Sequence, residues 1–518
     1  MCSNGSFVRP SSSRRSALLL ALAVTAQARC SPPEAVPPAS TLTVAVRGDV
    51  TGFFPNPPMV NEAFTIEVNR SLFEGLVRFD ERLRLAPGLA VRWENPDDRT
   101  YVFELRPGLR FSDGTSLTAN DVAASLEATT RRRWPTRDYL QAIEKARAIG
   151  ERRVEIRTRF PYLALLTRLP WGFVVPEQAV DQTPVPARGT GPYRLESWTP
   201  GTGFVLTRNP HHRGPPAAFD RVRFVVVFDD AARMAAVERG YADAADHVPL
   251  DAVERLHRRS DLRVLFRSGL RVIFLCLRVD RRPFSDPRVR EAIDLALNRS
   301  EVVQRVFQGR TQPAPQLVPP AVVGYNPSLQ GPLPDRERAR QLLAEAGYPR
   351  GFPIRLDGPS NRYVKDREVL QEVARQLDEL GLRVEVNAQD KRVFFPLIES
   401  GESLFHLLGF ACESGDAGDI LNSLFHSPTA SGLGAFNSTG LVDPELDHLI
   451  EHSDRSDTDV QRTQRLQVAL ARVTRMRVAL PLLVQTEGVV LSRRIAWDPP
   501  LNLALRPDQM RPAPRDPS

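Results

Sequence analysis

Short apolar strands alternate with amphipathic helices along most of the chain, and this order constrains the fold more than any other feature. Residues 42–46 and 101–105 alternate apolar with polar or small side chains, whereas residues 272–277 form a continuous apolar run. Residues 335–346 and 366–380 carry apolar side chains at helical spacing, and a glycine follows each segment. Strands and helices in this order predict an α/β fold in which helices cover the faces of sheets.

Local signals add detail to this pattern. Residues 63–76 have helix-like apolar spacing. A further helix is predicted at 118–126, because Thr118 can cap it and Asp121 follows three residues later, where its carboxylate can reach back to the free amides. Residues 185–191 are typical of a linker.

The N-terminal segment is typical of an export signal. Arg14 and Arg15 precede a short apolar stretch at residues 17–28, and Ala26-Gln27-Ala28 fits the small-x-small pattern of a cleavage site. This stretch is shorter than the ~20 apolar residues that a membrane-spanning helix needs. We therefore expect the chain to be exported.

Cys30 follows this signal and leaves two outcomes open, lipidation of Cys30 or simple cleavage after Ala28. Arg29 is unusual before a lipidated cysteine, whereas the proline-rich segment 31–40 favours a tether because it is typical of an extended spacer.

The formal net charge of +7 raises the question of nucleic-acid binding. Of the 69 basic residues, 66 are arginines, and acids are interleaved with them, as in residues 335–340. This bias indicates genomic base composition rather than a basic patch for phosphate contacts. We expect no nucleic-acid partner.

One histidine motif suggests zinc chemistry. His448, Glu451 and His452 match the His-x-x-Glu-His spacing of a class of zinc peptidases, with both histidines on one helical face. The apolar stripe of the same helix leaves this motif on the polar face. We expect no metal and no catalytic residue here, and an exported zinc-dependent hydrolase is kept as the alternative function. The adjacent His211 and His212 are typical of a surface loop.

Past Cys30, the cysteines are Cys276 and Cys412, and their separation fits neither a zinc ribbon nor a redox Cys-x-x-Cys motif. The sequence does not decide whether they pair, and buried free thiols are the simpler interpretation.

Taken in chain order, several motifs resemble those of the extracellular solute-binding proteins of family 5, the oligopeptide, dipeptide and nickel binders. The matching segments are residues 72–76, 86–97, 101–115, 117–122, 189–193, 208–210, 283–292 and 342–348. The chain departs from the family at His211-His212, which replace an aromatic pair, at Arg278, which replaces an asparagine, and at Phe410, which replaces a tryptophan. These departures bear on the ligand more than on the fold.

The resemblance implies a two-lobed clamp of the periplasmic-binding-protein type (type II, cluster C), with an extra domain inserted in the first lobe. The expected boundaries are 1–30 for the signal peptide, 31–40 for the tether, 41–70, 185–269 and 481–510 for lobe I, 71–184 for the extra domain, and 270–480 for lobe III. Chain crossings between the lobes would form a hinge whose closure buries the ligand.

The resemblance also implies a ligand site. In dipeptide-binding members an arginine after a turn faces the ligand carboxylate, and Arg362 is the candidate here, with Tyr363 beside it and Lys365 as the second choice. In the same dipeptide-binding members, an acid in the corresponding loop, which here follows strand 404–410, holds the ligand ammonium. Glu413 matches this acid and Asp416 is the alternative. The full set of candidate ligand-binding residues is Arg362, Tyr363, Phe410, Glu413 and Asp416.

The implied function is that of an extracytoplasmic substrate-binding receptor of an ABC importer. Such a receptor needs no cofactor, works as a monomer with a permease and ATPase complex, and binds peptides or a similar small polar solute by hinge closure. A solute sensor or chaperone on the same fold is the further alternative, because the fold does not fix the function. Peptides, nickel chelates, opines, haem and glutathione all stay open as ligands.

Overall fold

The structure is a computed structural model that describes residues 41–55, 63–80, 82–132, 134, 136–429, 433–456, 458–500 and 503–514. The predicted signal peptide, the tether and Cys30 lie outside these ranges.

The first part of the chain runs to residue 168. Its elements are β1 (Thr41–Val46), α1 (Ala63–Asn69), β2 (Val77–Phe79), β3 (Leu85–Pro87), β4 (Ala90–Asp97), β5 (Thr100–Leu105), α2 (Ala119–Arg131), α3 (Arg137–Leu140), β6 (Ile143–Ala148), β7 (Arg153–Thr158) and α4 (Leu165–Arg168).

The middle part contributes β8 (Tyr193–Thr199), β9 (Gly203–Arg208), β10 (Arg221–Val226), α5 (Asp230–Glu238), β11 (Ala244–Ala245), α6 (Val253–His257) and β12 (Leu262–Leu277).

The remaining part contains α7 (Pro287–Ala296), α8 (Arg299–Phe307), β13 (Gln312–Pro313), α9 (Arg336–Glu345), β14 (Pro353–Pro359), α10 (Asp366–Asp378), β15 (Arg383–Gln389), α11 (Lys391–Glu399), β16 (Phe405–Ala411), α12 (Gly418–Ile420), α13 (Pro444–Asp454), α14 (Asp459–Met476), β17 (Ala479–Ser492), β18 (Ile495–Ala496) and β19 (Arg511–Pro512).

One large mixed sheet joins distant parts of the chain. Its strand order is β15-β14-β16-β12-β17-β11-β1-β10-β9-β8, with β13 paired to β17 at the side. We call β8 to β11 with β1 the lobe I side, and β14 to β16 the lobe III side. The long strands β12 and β17 pair antiparallel and connect the two sides. Their register shifts between Ser268 and Val272, so the regular ladder is interrupted where the chain crosses from one side to the other.

A separate sheet of order β4-β5-β7-β6 forms within the segment predicted as the extra domain. Helix α2 packs its buried face, including Val122 and Leu126, into a core with Phe103 and Val154. Thr118 and Asp121 form the predicted capping box, in which the Thr118 amide donates to the Asp121 carboxylate at 2.7 Å.

Helices cover both faces of the lobe III side. One core packs α7 to α10 against β14 and β16, and a second packs α13 and α14 against the opposite face. The lobe I side has its own apolar core, to which α1 contributes Ile66 and Val68. No helix in the described ranges is both long and apolar enough to cross a bilayer.

The predicted helix at 63–76 was wrong beyond Asn69, where α1 ends. The buried Asn69 side chain donates to the Thr65 carbonyl at 2.7 Å and accepts from the Phe54 amide at 2.8 Å. Because an asparagine amide that bonds the backbone competes with helical hydrogen bonding, the chain turns away here and enters the extra domain.

Candidate functional site

A cavity of about 840 Å³ lies where α1, the extra domain and the lobe III side meet. Helix α1 contributes Ile66 and Glu67, and the extra domain contributes Tyr162 and Trp171. From the lobe III side come Arg271 of β12, residues 362–363 after β14, residues of α11, and residues 408–413 at the end of β16. Its walls therefore belong to parts of the chain that are far apart in sequence.

Arg362 and Tyr363 line this cavity, and local hydrogen bonds fix their backbone. The amides of both residues donate to the Asp366 carboxylate, at 2.9 and 3.1 Å, at the start of α10. The Tyr363 hydroxyl donates to the Gly409 carbonyl at 3.2 Å, which joins this loop to β16. Burial raises the pKa of Tyr363, so its hydroxyl stays a donor.

Two guanidinium groups lie at the Tyr363 ring. The central carbon of Arg362 is 5.6 Å from the ring centre, and that of Arg271 is 5.9 Å. Two cations on one aromatic ring at a cavity wall favour an anionic group of a ligand, and a planar guanidinium matches a carboxylate. Lys365, the second choice for this role, pairs with Glu368 at 3.9 Å and does not line the cavity.

Glu413 also lines the cavity, in the loop after β16. Its half-buried carboxylate accepts no hydrogen bond from the described residues. Burial raises its pKa, and the charge of Glu67 adds to this shift, while Arg271 and Arg70 oppose it. A carboxylate in this setting is stabilised by a ligand cation.

Asp416 lies behind the cavity wall, with 3% of its surface exposed. Arg462 of α14 donates to both Asp416 carboxylate oxygens at 2.9 Å, and the Gly418 amide donates at 2.7 Å. Burial alone would raise the pKa of Asp416, but the charge and hydrogen bonds of Arg462 hold it below the usual value. This carboxylate is already satisfied, so Asp416 shapes the loop that presents Glu413.

The same loop is held by the extra domain. Arg168 of α4 pairs with Asp419 and donates to the Ser414 hydroxyl at 3.0 Å. Ser414 in turn donates to Asp419 through its amide at 3.0 Å and its hydroxyl at 2.7 Å. All three side chains are buried, and Arg168 and Asp419 line the cavity. The extra domain thus contacts the ligand-facing loop directly.

Apolar side chains also line the cavity. Phe410 lies at the end of β16, with Leu408, Phe395 and Phe436 also on the cavity wall. Trp171 stacks on Tyr139 with ring centres 4.5 Å apart. Such surfaces accommodate side chains of varied shape, while the charged groups fix orientation.

Sequence reasoning missed Glu67 and Arg70. Arg70 donates to Glu67 at 2.8 Å and lies over the Trp171 ring at 4.8 Å. An acid and a base three residues apart within the apolar segment 63–76 were the available signal.

The histidine motif does not converge on one point. The His448 and His452 rings are 3.9 Å apart, but Glu451 is directed to His426, at 3.4 Å, and to Arg455. Within the described ranges, no group of three or more His, Cys, Asp or Glu side chains could hold a metal ion. The buried Cys276 and Cys412 are free thiols.

The chain was compared with known protein families and proteins. Residues 84–432 match the model of the bacterial extracellular solute-binding proteins, family 5 Middle. The glutathione-binding protein GsiB of Pectobacterium atrosepticum is 28% identical over 465 residues, covering 85% of this chain and 88% of that protein. GsiB of Escherichia coli K12 is 28% identical over 474 residues, covering 86% and 89%.

Solved structures show the same fold. DppA of Helicobacter pylori in complex with the peptide STSA superposes with a TM-score of 0.80 at 20% identity, covering 91% of this chain and 98% of that one. NikA of Brucella suis in complex with Fe(III)-EDTA gives a TM-score of 0.81 at 22% identity, covering 91% and 100%. These likenesses confirm the predicted α/β two-lobed clamp.

Proposed function

Because the chain belongs to the bacterial extracellular solute-binding proteins of family 5, the substrate-binding receptors of ABC importers, we propose that its ligand is a short peptide with a free ammonium group and a free carboxylate. Glutathione is the first candidate, since the two GsiB proteins that match over most of their length are glutathione-binding proteins. Two proteins of the same fold also bind peptides: DppA of Helicobacter pylori is in complex with STSA, and a dipeptide binding protein of Pseudoalteromonas sp. SM9913 is in complex with Met-Leu.

The observation that carries this proposal is the pairing of opposite charges in one cavity. Arg362 and Arg271 offer donors to a carboxylate, and Glu413 offers an acceptor to an ammonium group. The volume of about 840 Å³ falls in the range of roughly 300–1,000 Å³ typical of small-molecule sites. Closure of the lobes around the ligand excludes water and strengthens these charge-assisted bonds, each of which contributes about 1.5–3 kcal/mol.

In this proposal the receptor binds without turnover and delivers its ligand to a permease and ATPase complex. It acts as a monomer at the extracytoplasmic face of the membrane, tethered by a lipid on Cys30. Intact-mass analysis of membrane-fraction protein tests the tether. Acyl chains on Cys30 support it, and an unmodified chain that starts at Arg29 contradicts it.

Calorimetry on protein refolded free of carried ligand tests the ligand class. We expect one-to-one binding of glutathione, Met-Leu or Ser-Thr-Ser-Ala, with no cleavage product by mass spectrometry. Glu413→Gln should weaken binding about ten- to a hundredfold, because each 1.4 kcal/mol is tenfold in affinity. Glu399→Gln is the matched control, since Glu399 also lines the cavity but lies on α11. Absence of binding to all three peptides would overturn the proposal.

A further inference from the structure

Two carboxylates from different parts of the molecule line the same cavity. Glu67 lies on α1, whose neighbours Ile66 and Val68 pack in the lobe I core. Glu413 follows β16 on the lobe III side. Both line the cavity, and among the charged groups around Glu413 the Glu67 carboxylate exerts the largest effect on its ionisation. The two acids therefore share one cavity, and the charge of Glu67 acts on the Glu413 carboxyl.

The charges around this pair do not supply a donor to Glu413. Arg70 uses its Nη1 on Glu67, and its Nε and Nη2 are buried without a hydrogen-bond partner among the described residues. Arg271 lies at the Tyr363 ring, and among the described residues its hydrogen bonding is a long contact, 3.4 Å, to the Gly409 carbonyl. Glu487 adds a further negative charge. The Glu413 carboxylate and the second oxygen of Glu67 thus keep acceptor capacity among the described residues in a poorly solvated space, and an ammonium group, which carries only donors, can use it.

We propose that Glu67 and Glu413 together bind the ammonium group of the ligand, one carboxylate from each side of the cleft. This inference rests on the proposed function and adds a second acid, from lobe I, to it. An ammonium group has three N–H donors, so it can bond Glu413 and the free oxygen of Glu67 at the same time.

A ligand shared in this way couples amine recognition to closure. Without the ammonium, like charges approach each other as the cleft closes, and their repulsion opposes closure in a medium of low dielectric. With the ammonium between them, the same two groups draw the lobes together. A ligand shifts a conformational equilibrium only through its differential affinity for the two states, and this bridge exists in the closed state alone.

The test compares wild type, Glu67→Gln, Glu413→Gln, the double variant and the control Glu402→Gln by calorimetry. Glu402 is exposed and does not line the cavity. The probes are glutathione, Met-Leu and Ser-Thr-Ser-Ala, each with a free and an acetylated amine. Glu67→Gln keeps an oxygen for Arg70, so the fold is preserved. Glu67→Gln should weaken binding of the free-amine peptide about tenfold and leave binding of the acetylated peptide unchanged. The fold-loss of affinity in the double variant should be smaller than the product of the fold-losses in the two single variants, because both acids hold the same ammonium group. Equal losses for free and acetylated peptide, or no loss at all, would overturn the proposal.

Small-angle X-ray scattering of ligand-free protein separates this inference from the proposed function. If the acids repel each other across the cleft, Glu67→Gln should have a smaller radius of gyration than wild type and Glu402→Gln. A radius that is identical in all three would overturn the bridge even if peptides bind. If the radius of gyration of Glu67→Gln is smaller but no peptide binds, the proposed peptide ligand is contradicted, whereas the proposed repulsion between Glu67 and Glu413 is supported.

Discussion

At the scale of single residues, His406 shows how burial fixes a charge state. This side chain lies in β16, is fully buried, and bonds the Ser438 hydroxyl through Nε2 at 2.9 Å, while its Nδ1 has no partner among the described residues. Burial, and next the charge of Arg278, lower its pKa from the ordinary 6.5 to about 3. The imidazole is therefore neutral in the folded protein at neutral pH.

His406 predicts acid sensitivity. Between pH 6.5 and about 3 the unfolded chain binds a proton that the folded protein excludes, so the free energy of unfolding falls as the pH is lowered, by about 1.4 kcal/mol per pH unit. Urea unfolding from pH 7 to 4.5 should show a shallower pH dependence for His406→Asn than for wild type. An unchanged slope in His406→Asn would contradict this assignment.

The sequence could rank the residues of the site only in part. Arg362 and Glu413 follow from motifs, and both line the cavity. The motif could not separate Glu413 from Asp416, because the difference depends on Arg462, whose approach to Asp416 is a tertiary contact. Glu67 was not predicted for the same reason, since Glu413, the acid with which it shares the cavity, is more than 300 residues away along the chain.

At the scale of elements, the short helix α4 connects the extra domain to the ligand-facing loop. Its Arg168 reaches Asp419 and Ser414, and nearby the guanidinium of Arg455 on the lobe III side lies 5.6 Å from the Phe160 ring. These contacts order the loop on which Glu413 stands. The extra domain therefore takes part in forming the wall of the cavity.

Arg168→Ala should destabilise the protein by about 3–5 kcal/mol, because it leaves the buried Asp419 without its ion-pair partner. Arg153→Ala is the matched control within the same domain. Arg153 forms a 3.0 Å pair with Glu94, but both side chains are more than half exposed, and such surface pairs contribute roughly 0–1 kcal/mol. Denaturant unfolding measures the loss in free energy of unfolding for both variants. Equal, small losses would show that the buried pair adds no stability.

Helices and strands were predictable from the sequence where a single hydrophobic periodicity marks the element. Helix α10 begins at Asp366 as its apolar spacing indicated, and α2 begins after its predicted cap Thr118. Strand β12, however, begins at Leu262, ten residues before the predicted strand. Its first half carries Arg263 and Arg267 and has a half-buried pattern, so no apolar run marks it. Pairing with β17 makes it a strand, and that pairing joins segments more than 200 residues apart.

At the scale of the whole molecule, ligand binding and stability are linked. A ligand at about 100-fold above its Kd adds about 2.7 kcal/mol to the free energy of unfolding. With an unfolding entropy near 2 cal/mol/K per residue, the melting temperature of a chain this long rises by roughly 2–3 °C.

Glutathione at saturating concentration should produce a shift of this size in wild type. Arg362→Ala should reduce the shift at the same concentration, because the ligand carboxylate loses a planar donor. Arg392→Ala should keep it, since Arg392 also lines the cavity but pairs with Asp390 and is 84% exposed. Differential scanning fluorimetry distinguishes the two variants. Equal shifts in wild type and Arg362→Ala would remove Arg362 from the site.

The burial of the two thiols has a consequence for redox chemistry. Burial raises the pKa of Cys276 to about 12, and burial together with Asp416 raises that of Cys412. At pH 7 roughly one Cys276 molecule in 10⁵ is then a thiolate, the form that attacks disulfides. Cys412 directly precedes Glu413, which lines the cavity, yet only 1% of the Cys412 surface is exposed. Neither thiol is therefore poised for thiol–disulfide exchange with a thiol or disulfide in the cavity.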